Sequence, residues 1–135
     1  MIDDFTLIDQ HGDEVQLHQF YGEVVQLVLF AQWCATCRAE APDLEAAWRE
    51  QRDDGVVIVS VMLEAQQGPT TPDALAQWTD AYDVTHPLLS NADQTLASML
   101  RGGYPTLPVL DRTMTIRSVD NFPFDPDVLA ALAAE

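Results

Sequence analysis

Two stretches of this chain, Val24–Phe30 and Val56–Leu63, are apolar and rich in β-branched residues at nearly every position. A strand that faces water on one side alternates polar with apolar; one that does not alternate is covered on both faces. Between the two runs, Ala35 to about Gln51 turns helical, with Ala41, Leu44, Ala47 and Trp48 on one stripe, and Asp53-Asp54-Gly55 ends it. Two buried strands joined through a helix leave few architectures open, and all of them put helices over a sheet.

The flanking segments complete that picture. Phe5–Ile8 and Glu14–Leu17 read as short strands of a hairpin around His11-Gly12-Asp13. After Val56–Leu63 comes a Gly68–Pro72 loop, in which Thr70 or Thr71 caps a helix opened by Pro72 and carrying Leu75, Trp78 and Tyr82. His86–Leu89 reads as a short strand and Asp93–Leu100 as a short helix. Leu107–Leu110 and Thr115–Val119 form a strand pair around Asp111-Arg112, and Asp125–Ala134 is a last helix. The fold class is α/β: a mixed central sheet flanked by helices on both faces, with an N-terminal β-hairpin. At 135 residues, 1–135 is expected to form a single domain.

Charge narrows the function. The net charge is −16, there is no lysine, and all six basic residues are arginines. Such a surface repels nucleic acid and anionic lipid. It serves either as a solvating surface or to steer a basic partner. No apolar run approaches the roughly 20 residues that span a bilayer. Met1–Phe5 has neither the basic nor the apolar region of a signal peptide. No membrane contact is expected, and the compartment stays open.

Two cysteines cannot scaffold a fold of this size. They stand as Cys34-Ala35-Thr36-Cys37, where a buried strand ends and a helix begins. The unpaired N–H groups and the dipole of a helix N-terminus both favour a thiolate at Cys34. Cys37 lies one turn on, on the same face, at a separation a disulfide can bridge. Cys34 is expected to be exposed and nucleophilic, and Cys37 more buried and resolving. A structural bridge would usually close a longer loop. A zinc site needs about four ligands, and His11, His18 and His86 are scattered. No metal or cofactor is called for.

The segment Phe30-Ala31-Gln32-Trp33-Cys34-Ala35-Thr36-Cys37 resembles the active-site segment of the thioredoxin superfamily. Pro42 matches the proline inside its first long helix, and Tyr104-Pro105-Thr106 its cis-proline loop. Phe5-Thr6-Leu7 with Asp9 and Gly12, Cys37-Arg38-Ala39-Glu40-Ala41-Pro42, and an insertion over about Glu64–Leu89 are similar to the TlpA/ResA-like, or redoxin-like, branch. The resemblance implies a thioredoxin-like fold and a thiol–disulfide oxidoreductase that reduces disulfides in partner proteins. Cys34 would attack, Cys37 would resolve, and Pro105 would follow a cis bond; an ordinary trans turn proline is the alternative. Tyr104 would offer backbone groups to a docked peptide, and Trp33 would lie at the surface beside the sulfur. Glu40 would either accept the proton of Cys37 or be a solvated helix residue. The partners implied are protein thiols and disulfides and an unidentified electron donor, with the chain monomeric and the branch favouring an extracytoplasmic, periplasmic setting.

Some positions depart from the pattern. Val28 stands where thioredoxin proper has a buried Asp, so one proton acceptor is missing. Pro108 falls where a strand N–H is expected and calls for a bulge or an edge. Ala35-Thr36 lacks the imidazole of strongly oxidising relatives, which points toward a reductant. Trp48, Trp78 and Tyr82, at helical spacing, read as core. Two rivals remain: a peroxiredoxin-like peroxidase, whose Pro and Thr/Ser positions hold Leu27 and Ala31 here, and a Sco-like copper carrier, which spaces its cysteines CxxxC and uses a later His, for which only His86 is near.

Overall fold

The computed structural model describes residues 1–135. Seven strands make one mixed sheet: β1 (Thr6–Asp9), β2 (Glu14–Gln16), β3 (Val24–Ala31), β4 (Val56–Glu64), β5 (Leu88–Ser90), β6 (Val109–Leu110) and β7 (Ile116–Ser118). They lie in the order β2-β1-β5-β4-β3-β6-β7. The two long apolar runs are the central pair, parallel and in register from Val24↔Val56 to Phe30↔Met62. The N-terminal hairpin pairs Thr6 with Gln16 and joins the sheet antiparallel through β5.

Alternation in β3 and β4 sorts their side chains onto two faces. Val24, Val28, Phe30, Ile58 and Met62 point to one core. This core lies under α1 (Ala35–Gln51), α2 (Pro72–Tyr82) and α3 (Pro126–Ala133), which contribute Leu44, Leu75, Trp78, Leu129 and Leu132. Trp48 and Tyr82 pack on it partly buried. Thr71, not Thr70, caps α2, accepting from Ala74 N–H at 3.1 Å. The opposite core, with Val25, Leu27, Leu29 and Val59, is covered by 3-10 turns at Leu17–Phe20 and Thr95–Met99 and by Ile2 and Phe5. The Asp93–Leu100 segment thus tightens into a 3-10 turn instead of an α-helix. Asn91 Oδ1 accepts from Leu96 N–H and Asp93 Oδ1 from Thr95 N–H, and such side-chain bonds compete with helical ones.

Pro108 precedes the two-residue β6, which lies inside the sheet between β3 and β7 and not at an edge. Its carbonyl still accepts from Leu27 N–H at 2.9 Å, so only a donor is lost from the ladder. The β6–β7 register shifts at Val109/Leu110. Gly55, φ +83°, ends the turn after α1 against the Arg112 guanidinium. That guanidinium donates to the carbonyls of Gly22, Asp54 and Ala133, tying two turns to the end of α3.

Candidate active site

The site forms where β3 delivers its last residues to α1. Cys34 is the N-cap of α1, and its Sγ accepts from the Cys37 N–H at 3.2 Å. Cys34 and Cys37 are joined as a disulfide, with Cα atoms 5.2 Å apart. Gln32 and Arg38 brace the approach. Arg38 donates through Nε to Gln32 O and through Nη2 to Trp33 O, and Gln32 Oε1 accepts from Gln66 N–H. The arginine thus holds two carbonyls just ahead of the sulfur by charge-assisted hydrogen bonds.

The Tyr104–Pro105 bond is cis, as is Phe122–Pro123. The loop reaches the sheet through Thr106, whose N–H and C=O both pair with Leu29. This anchor sets Tyr104 O 3.8 Å from Cys34 Sγ. Trp33 is 47% exposed and meets Tyr104 edge to face, with ring centroids 5.7 Å apart. Glu64 accepts from Trp33 Nε1 at 3.4 Å. Burial and the neighbouring Glu64 carboxylate push the Tyr104 phenol well above its ordinary range.

One expectation needs correction. Cys34 is not the exposed member of the pair: it is 5% exposed and Cys37 4%. The Tyr104 carbonyl lies against the first sulfur, so any asymmetry between the two sulfurs has to come from position on the helix and not from access in this disulfide form.

Behind Cys37 lies a narrow pocket with room for about one water-sized molecule, lined by Val28, Glu40, Ser60, His86 and Pro105 among others. Glu40 is half-buried. Its Oε1 accepts from Phe124 N–H at a long 3.5 Å, and its Oε2 is buried without a partner. Burial raises its pKa, the Phe124 N–H opposes this, and Asp43 and Asp120 add to the rise. Val28 leaves the β3 side of the pocket apolar.

Sequence reasoning passed over the polar side of this pocket. Ser60, in β4, is in register with Val28. Its Oγ is 2.8 Å from His86 Nε2, and His86 Nδ1 is 2.8 Å from Glu45 Oε1. All three residues are buried. Glu45 also accepts from Arg49 Nε, Thr85 N–H, Thr85 Oγ1 and His86 N–H. These donors outweigh the burial that opposes them and hold its carboxyl far below the usual carboxylate range. The one signal in the chain was Ser60 itself, a hydroxyl in an otherwise apolar run. No three His, Cys, Asp or Glu side chains gather in a metal-binding arrangement, and no helix is long and apolar enough to cross a membrane.

Comparison with known proteins gives concordant findings. The thioredoxin-like protein YneN of Bacillus subtilis (strain 168) is 31% identical over 121 residues, 86% of this chain and 66% of its own length. The thiol-disulfide oxidoreductase ResA of Oceanobacillus iheyensis is 36% identical over 89 residues, 63% of this chain and 44% of its own. The chain therefore spans 66% and 44% of these relatives. In structure, a secreted thiol-disulfide isomerase from Corynebacterium glutamicum superposes with a TM-score of 0.82 at 23% identity, covering 100% of this chain and 86% of that one. A thioredoxin-family thiol:disulfide interchange protein from Chlorobium tepidum superposes at 0.81 and 16% identity, covering 96% and 93%. These superpositions establish the thioredoxin fold. Across that fold, residues 1–119 match the AhpC/TSA family, from the hairpin through the Cys34–Cys37 junction and the Tyr104-Pro105 loop to the end of the sheet, and the chain belongs to it.

Proposed function

We propose that this chain is a thiol–disulfide oxidoreductase that reduces disulfides in partner proteins. The observation that carries this is the Cys34–Cys37 disulfide at a helix N-terminus, facing the Tyr104 carbonyl. In the reduced form, the Cys34 thiolate attacks a partner disulfide, forming a mixed disulfide and releasing one partner thiolate. Cys37 then attacks the Cys34 sulfur, the bond to the partner breaks, and the second partner thiolate leaves. Two electrons pass from the dithiol to the partner, and a separate electron donor restores the pair. Trp33 and the Tyr104-Pro105 edge receive the partner, with the Tyr104 carbonyl as an acceptor for its backbone N–H. Glu40 takes the Cys37 proton, a role supported by its place in the same pocket and by an oxygen with no partner of its own. A peroxidase of the same family is disfavoured, because buried Ala31 brings no hydroxyl toward Cys34.

The test is insulin reduction together with trapping. Cys37→Ser should accumulate partners bound through Cys34, and Cys34→Ser should accumulate few. Equal trapping by both variants, or hydroperoxide turnover exceeding insulin reduction, refutes the assignment.

A further inference from the structure

The Ser60–His86–Glu45 chain ends in the pocket behind Cys37, yet the chemistry proposed above makes no use of it. Three independent elements build it: α1 supplies Glu45, β4 supplies Ser60, and the turn before β5 supplies His86. The N-terminal hairpin adds a fourth tie, since Gln10 donates to His86 O and accepts from Leu88 N–H. A buried imidazole locked at both nitrogens and at its backbone is costly to assemble and leaves little freedom of orientation.

The hydrogen bonds settle its direction. Glu45 Oε1 accepts from the Thr85 and His86 backbone N–H groups and Oε2 from Arg49 Nε and Thr85 Oγ1, so neither oxygen carries a proton and Oε1 accepts from Nδ1. Nδ1 therefore carries a proton, and in the neutral imidazole Nε2 accepts from the Ser60 hydroxyl. The hydroxyl lines the pocket with Cys37 and Glu40. Ser60 is Val28's partner in register, so the polar function absent from β3 is supplied one strand away.

We infer that Ser60, His86 and Glu45 form a relay that takes up the Cys37 proton across the pocket, as a second acceptor beside Glu40. This rests on the oxidoreductase reading above. The Cys37 S–H proton crosses the pocket to Ser60 Oγ through a water of the size the pocket admits, as the Ser60 proton passes to His86 Nε2. The imidazolium is held against the Glu45 carboxylate, and the Cys37 thiolate attacks Cys34 Sγ. The partner leaves as a thiolate, and the stored proton returns by the same route to a thiolate or to solvent. His86 acts through Ser60 and is thus a positioning residue.

The groups facing the imidazole are few. They are Glu45 and, behind it, Arg49 from α1, Ser60 from β4, and Cys37 and Glu40 across the pocket, with Asp43 and Asp120 beside Glu40. The remaining lining from β3, α2 and the Tyr104-Pro105 loop is Val28, Phe30, Trp78 and Pro105, without charge.

The test uses the reduced protein and 5,5′-dithiobis(2-nitrobenzoate). Cys34 attack releases one thionitrobenzoate, and Cys37 attack on the resulting mixed disulfide releases a second. Stopped-flow absorbance resolves the phases across pH 5–9. In Ser60→Ala and in His86→Asn, the second phase should slow about tenfold near neutral pH, less than the ~10²–10⁴ of a sole base because Glu40 remains. Its pH profile should move to higher pH while the first phase stays within about twofold. Ser60→Ala removes one oxygen, and His86→Asn keeps an N–H for Glu45, so either variant that folds suffices. A second-phase profile identical to the parent's overturns the relay, as does equal slowing of both phases, the mark of a merely structural role. A parent that releases only one equivalent refutes the oxidoreductase reading itself.

Discussion

Glu45→Ala tests whether the buried carboxylate organises the region behind the disulfide. Glu45 is 4% exposed and accepts from five donors: Arg49 Nε, Thr85 N–H, Thr85 Oγ1, His86 N–H and His86 Nδ1. Arg49 is half-exposed and regains water when the acceptor is lost, so it adds little. The Thr85 and His86 donors do not regain it. Each buried donor left unpaired costs about 1–3 kcal/mol, but one relaxing turn shares the loss, and removing one partner of a buried pair costs about 3–5 kcal/mol. A destabilisation of about 4 kcal/mol follows. That is a large part of the roughly 5–15 kcal/mol holding an ordinary domain together, and it lowers Tm by roughly 10–20 °C in a chain of this length. Urea unfolding followed by tryptophan fluorescence measures it. The sign with pH is fixed by the depressed carboxyl. The parent's advantage is full above the ordinary Glu value of 4.5 and is lost as pH falls toward the lower native value. A difference below about 1 kcal/mol at pH 7, or one that grows on acidification, would refute this reasoning.

Glu40→Gln should slow insulin reduction near neutral pH and move its optimum upward. It should also stabilise the fold slightly at neutral pH, because a carboxyl whose pKa is raised by burial costs stability once ionised; this gain should vanish below the ordinary value of 4.5. An unchanged pH–rate profile would leave Glu40 without a part in the reaction. The potential of the Cys34–Cys37 pair, measured by equilibration against glutathione, should lie nearer about −270 mV than −120 mV. No basic residue stands between the cysteines, and the net charge of −16 disfavours a further anion. A protein that stays reduced in mildly oxidising buffer would be an oxidant.

The chain's own order of residues determined whatever depends on near neighbours. Nearly continuous apolar runs marked the central strands, Pro72 with a preceding threonine marked the start of α2, and the CxxC at a strand–helix junction marked the disulfide pair; each signal lies within a few residues of the structure it produces. Tertiary structure decided what distant segments do to one another. Tyr104 covers Cys34 from 70 residues away, Phe124 reaches Glu40 across 84, and Glu45 meets His86 across 41. Burial and pairing of a polar group depend on which strands become neighbours, and strand order leaves no trace in local periodicity. His86 therefore read as one of three scattered histidines, until the pairing of β4 with β5 set its ring beside Ser60 and the packing of α1 set it on Glu45.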